Sequence, residues 1–162
     1  MTPDLSHLLS FLLHFGLVLL ALPALWLATV SLAPDFTGRC RGAYTRPVVS
    51  TLVGMLVWLP FSVLGLAVHE EMRLLVAVLL VPSMLAVTGA SGLALRLGAG
   101  LPRADDAEPA WNLVERGGKV LALALLMPVL GWFVLLPWVL ISGTGAAVRT
   151  LVTRRKASLP PR

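Results

Sequence analysis

Four apolar runs, 8–33, 48–68, 74–95 and 120–148, contain one ionisable side chain between them, His14. A hydrocarbon core about 30 Å thick takes roughly 20 helical residues to cross, and each run is at least that long. Backbone polar groups inside lipid must be satisfied within the segment, so runs of this kind are helices. The sequence therefore predicts an all-α polytopic membrane protein with four transmembrane helices, over about 8–33, 48–68, 74–95 and 120–141. The short link 69–73 folds the second and third into a central antiparallel hairpin.

The connections hold too little chain for a second core. Of 162 residues, 57% are apolar and 13% charged, a composition outside the range of soluble domains. One transmembrane domain, 1–162, is expected. The first connection, 34–47, reads as a polar turn with three arginines, and Pro47 suits the first turn of the next helix. In the third connection, Pro109 can start a short interfacial helix over 109–116, with Trp111, Leu113 and Val114 toward lipid and Gly117-Gly118 as its stop. A plain solvated loop is the equal alternative. The last run exceeds one crossing, so a span over 120–141 is expected, ended by Gly143-Thr144-Gly145 and followed by a basic tail. A re-entrant pair of half-helices broken at Pro128, Gly131 or Pro137 is the weaker alternative. No lysine or arginine precedes the first run, which is too long for a signal-peptide core, so a retained helix is expected there.

The net charge of +5 sits at helix ends rather than on a soluble face. Arg39, Arg41, Arg46, Arg154, Arg155 and Lys156 are placed to meet lipid headgroups, and anionic lipid, not nucleic acid, is the partner this pattern favours. Orientation stays open. With four spans the two tails share a side, so Arg73 and the five basic residues after Val148 oppose the seven in the first and third connections.

Candidate chemistry is sparse. Pro23, Pro60, Pro82 and Pro128 fall near the centres of their spans, where broken helices expose carbonyls in transporters; kinks are the commoner outcome. Ala90, Ala94 and Gly98 repeat at four-residue spacing beside Gly89 and Gly92, a surface on which another helix can pack closely. An intrachain partner is the default. His14 and His69 are weak candidates for haem or quinone, His7 sharing a face with His14, but His14 lies deeper than His69, against bis-histidine ligation. His69-Glu70-Glu71-Met72-Arg73 has arginine where a zinc-protease helix needs its second histidine. Cys40, the only cysteine, permits no disulfide within the chain. Its arginine neighbours could favour a thiolate, though an inert thiol is the better reading. Trp111 suits the lipid interface, while Trp58 and Trp132 suit helix packing. No catalytic constellation, metal motif or cofactor is expected.

Arg46-Pro47, Gly54, Pro60, Pro128-Val129-Leu130-Gly131-Trp132 and Gly143-Thr144-Gly145-Ala146 follow an order that resembles the membrane domain attached to some bactofilin-type polymer-forming bacterial proteins, over about 46–149. The β-helical polymerising domain of that family is absent, and so is a glycine-proline turn after the second span. The resemblance implies a bacterial inner-membrane anchor or scaffold and supplies no active-site residues. Arginine outnumbering lysine eleven to two points the same way, to a GC-rich bacterial genome. The function expected is that of a non-enzymatic accessory subunit or scaffold packing against other membrane protein subunits. A small transporter or channel subunit is the alternative, and a redox subunit a third.

Overall fold

A computed structural model describes residues 3–102 and 108–157, apart from the side chains of 154–157, of Pro128 and of several residues in the first helix, His14 among them. The described residues contain helices and no strand. The order is α1 (Pro3–Leu32), α2 (Pro34–Ala43), α3 (Pro47–Ala67), α4 (Met72–Ala99), α5 (Ala110–Leu125), α6 (Pro128–Leu130), a π-helical turn (Gly131–Leu135) and α7 (Leu136–Ala157). Proline opens α2, α3 and α6, where its missing N–H costs no helical hydrogen bond. Three segments are long and apolar enough to cross a membrane: Pro47–Ala67, Met72–Ala99 and Gly131–Thr153. A fourth arises if Leu19–Leu32 is counted with Pro34–Ala43, the two being bent by 113°. The protein is thus an all-α, multi-pass membrane protein with α3 and α4 as its central hairpin.

The core is built by bare backbone approaching bare backbone. Between α4 and α7, a Cβ at Gly89 would overlap the Gly143 carbonyl, and a Cβ at Gly143 would overlap that of Ala86. Between α3 and α7 the reciprocal pair is Gly54 on Ile141 and Gly145 on Ser50. Between α4 and α5 it is Gly98 on Leu113 and Gly117 on Ala94. Such crossings gain dispersion and weak Cα–H···O contacts, the terms left when lipid removes the hydrophobic drive between helices. Gly92 admits a third neighbour to α4, Cys40 of α2. Every residue from Gly89 to Leu95 is buried, because α4 is surrounded by α2, α5 and α7.

These contacts fix direction. Gly98 meets Leu113 and Gly117 meets Ala94, so α5 runs antiparallel to α4. Gly143 meets Ala86 and Gly89 meets Ala147, so α7 runs parallel to α4. α5 and α7 therefore run in opposite directions, linked through the turn at 126–128 and the π-helical segment that follows, and the carboxyl end of α7 lies beside α2 and the start of α3.

Four expectations change accordingly. The interfacial helix expected over 109–116 is the first half of a 16-residue helix, Ala110–Leu125, since Gly117 and Gly118 pack against α4 and α1 instead of stopping it. The last apolar span is Gly131–Thr153, not 120–141, because the helix breaks at Pro128. Gly143-Thr144-Gly145 is helix interior, with 142–147 all buried: its glycines permit close approach, which outweighs their poor helix propensity. The first connection is likewise mostly helix, α2.

Candidate functional site

The end of the bundle where α2 lies holds nearly all of the described basic residues. α2 turns across the end of α1, and its buried face, Thr37, Cys40 and Ala43, rests on α4 and α7. Long polar contacts line its seat. Thr37 Oγ1 and Ser91 Oγ share a hydrogen bond at 3.4 Å, and Cys40 Sγ lies 3.5 Å from Thr150 Oγ1. The Tyr44 hydroxyl reaches Ser142 Oγ at 3.5 Å. Arg149 closes the joint: its Nη1 donates to the Ala43 carbonyl at 2.8 Å and to Ser50 Oγ at 2.7 Å, while Ser50 Oγ donates to the same carbonyl at 3.0 Å. These bonds satisfy the last carbonyl of α2, which a helix end would otherwise leave orphaned.

Arginines stand on either side of this shelf. Arg41 and Arg96 line a cleft of about 480 Å³ with Gly38, Gly42 and Thr45. Arg39 and Arg149 line a second, of about 260 Å³, with Thr150 and Thr153. Among the described residues of α5 and the connection before it, both carboxylates are engaged, Glu108 with Arg116 at 3.0 Å and Glu115 with Lys119 at 2.6 Å. Arg39, Arg41, Arg46 and Arg96 are exposed and make no ion pair among the described residues. Of the headgroup candidates, Arg39, Arg41 and Arg46 come together here; the side chains of Arg154, Arg155 and Lys156 lie outside the described residues, though α7 carries their positions to this end. Arg96 and Arg149 were legible only as flanking charges. The signal for Arg149 was its place one turn beyond Gly145, on the helix that the glycine run was read to end.

The remaining candidates separate. Ala90, Ala94 and Gly98 are buried within the chain, so the small-residue surface is intrachain packing. His69 is exposed at the tip of the α3–α4 hairpin, the opposite end of the bundle, with Nδ1 2.7 Å from the Leu66 carbonyl; the His14 side chain lies outside the described residues. Among the described residues no group of three His, Cys, Asp or Glu side chains is placed to hold a metal. The midplane prolines do not converge: Pro60 is exposed, while Pro82 is buried beneath Thr144, whose Oγ1 lies 3.3 Å from the Pro82 carbonyl and accepts from Trp58 Nε1 at 3.0 Å.

Cys40 is fully buried, and burial pushes its thiol up, outweighing the Thr150 hydrogen bond and the Arg39 charge that act the other way. A raised thiol is mostly protonated at neutral pH and weakly nucleophilic. Cys40 should therefore react with a maleimide far more slowly in the folded protein than in detergent-denatured protein, and a rate matching a free-thiol standard would contradict the burial. Comparisons with protein-family models, curated proteins and solved structures give no match.

Proposed function

We propose that the chain is a non-enzymatic accessory subunit or scaffold of a bacterial plasma membrane, assembling with a larger membrane protein through the amino-terminal half of α1. The observation that carries this reading is the division of the molecule into two parts. α3, α4, α5 and α7 are joined by the reciprocal glycine contacts, and the core side chains contributed by α1, Trp26 and Val30, lie in its second half. In its first half, Leu9, Leu13, Leu17 and Leu20 are all exposed. Their spacing of four, four and three places them along one stripe, the pattern by which a membrane helix meets another. Trp58, Thr144 and Pro82 close on one another between α3, α7 and α4, which favours assembly over an open substrate path between these helices. The resemblance to bactofilin-associated membrane domains supports the same anchoring role.

Mild-detergent extraction with a photo-crosslinking residue at position 13 tests this. The expected product is a discrete crosslink to one membrane protein, lost in Leu13→Ser/Leu17→Ser while the melting temperature is unchanged. Crosslinking to lipid alone, with the chain migrating alone at every detergent strength, would overturn the reading, and substrate flux in reconstituted vesicles would replace it with transport.

Orientation belongs to the same reading. Because α7 runs parallel to α4, the basic residues after Val148 join those of the first and third connections, and Arg73 is left as the one described cation at the hairpin end. The even split expected for four alternating spans becomes a strong bias, which by the positive-inside rule places the α2 end in the cytoplasm. A fluorescent protein that matures only in the cytoplasm should glow when fused after Arg162 and stay dark when fused before Met1; equal signals would refute the assignment.

A further inference from the structure

We propose that the cleft between α2 and the carboxyl end of α4 is a binding site for an anionic phospholipid, with the phosphate between Arg41 and Arg96 and an acyl chain in the apolar groove beside them. The site is amphiphilic by construction. Arg96 and Gly100 belong both to the arginine cleft and to a second depression of about 430 Å³, where Leu93, Leu97, Leu101 and Trp138 form an apolar wall. A ligand that fills both needs an anionic head and a hydrocarbon tail joined within a few ångströms.

The head is specified by charge and by what is left unspent. Neither Arg41 nor Arg96 has a hydrogen-bond or ion-pair partner among the described residues, so each offers a full guanidinium fork, the group suited to bidentate phosphate recognition. Gly38 and Gly42 leave the α2 wall open, with nothing within 4 Å of where a Cβ would stand. The carboxyl end of α4 faces the cleft with its negative dipole, which by itself repels an anion. Arg96 sits in that last turn, and the Gly100 N–H caps the Arg96 and Leu97 carbonyls, so the arginine pair outweighs the dipole. Depth agrees, since the cleft lies where α4 ends and α2 turns aside, at the level where headgroups meet water. A free phosphate would use only the first cleft and leave the apolar groove empty.

The full chain, purified in a neutral detergent, is titrated with phosphatidylglycerol or with phosphatidylcholine of the same acyl chains and read by native mass spectrometry. Phosphatidylglycerol is expected to bind more tightly by about tenfold, a difference near 1.4 kcal/mol. Arg41→Gln/Arg96→Gln should abolish that preference, whereas Arg154→Gln/Arg155→Gln, which removes the same charge from the end of α7, should keep it. Both cleft arginines are exposed and make no side-chain bond among the described residues, so an unchanged melting temperature is expected and serves as the folding control. Millimolar inorganic phosphate should leave the bound phosphatidylglycerol in place. Equal binding of the two lipids, equal loss in the two double variants, or complete displacement by inorganic phosphate would each overturn the proposal.

Discussion

Gly89→Leu is expected to cost about 3 kcal/mol or more, at the upper end for overpacking, because the added atoms meet a backbone carbonyl that no rotamer change can move aside. The Gly143 carbonyl lies directly over Gly89, with the Ala147 amide beside it. To admit a side chain, α4 and α7 must separate, and Gly143 then loses its own approach to Ala86. Thermal melting in mild detergent should show a large drop, or the protein should fail to accumulate. Gly16→Ala is the contrast: nothing lies within 4 Å of a Cβ there, and exchanging glycine for alanine in a helix is favourable by up to about 1 kcal/mol. A Gly89→Leu protein that melts like the parent would remove the close helix crossing from the account of stability.

The second large effect concerns the joint between α1 and the rest. Trp26 is 1% exposed and lies against the bare backbone of Gly118, where a Cβ would come within 3.3 Å of its ring. Trp26→Ala should cost about 3 kcal/mol, at the low end for deleting a buried aromatic, since lipid can solvate whatever surface the helix leaves. The loss should appear as detachment of α1, read as new protease sensitivity near Ala33, before the α3–α4–α5–α7 body melts. Trp26→Phe separates packing from polarity. The Trp26 indole N–H is buried without a hydrogen-bond partner among the described residues, and an unpaired donor costs about 1–3 kcal/mol. Phenylalanine keeps most of the contact and drops the orphan, so it should be close to neutral. A Trp26→Phe protein as damaged as Trp26→Ala would mean that the indole N–H makes a bond that matters.

Sequence alone carried the spans furthest. Runs of 48–68 and 74–95 correspond to Pro47–Ala67 and Met72–Ala99, because length and hydropathy suffice where a helix is apolar throughout and bounded by charge. They did not suffice for 120–148. Hydropathy is blind to direction, so a helix running in and a helix running out read as one segment, and Pro128 was one of several plausible breaks. Gly143-Thr144-Gly145 misled for a related reason. Glycine stops helices when its alternative is water; between helices it is the residue that lets backbones touch. α2 did carry signals of its own, Pro34 at its start, Asp35 in its first turn and Arg41 in its last, which the reading as a polar turn set aside. The pairing of Arg41 with Arg96 was beyond sequence, since it depends on α2 lying across the end of α4.

The place of α7 in this packing has a bearing on biogenesis. α7 is made after α3 and α4, yet it shares the larger interface with both, which touch each other much less. As the chain emerges, the early helices enter the bilayer with their glycine faces turned to lipid and little to hold them in register. Only when α5 and α7 arrive do Gly54, Gly89 and Gly98 meet their carbonyls, so this bundle closes only after α7 has been made. A ribosome that stalls before α7 would leave a loose set of helices for membrane proteases to clear, and the arrival of α7 is thereby checked by the same contacts that hold the bundle together.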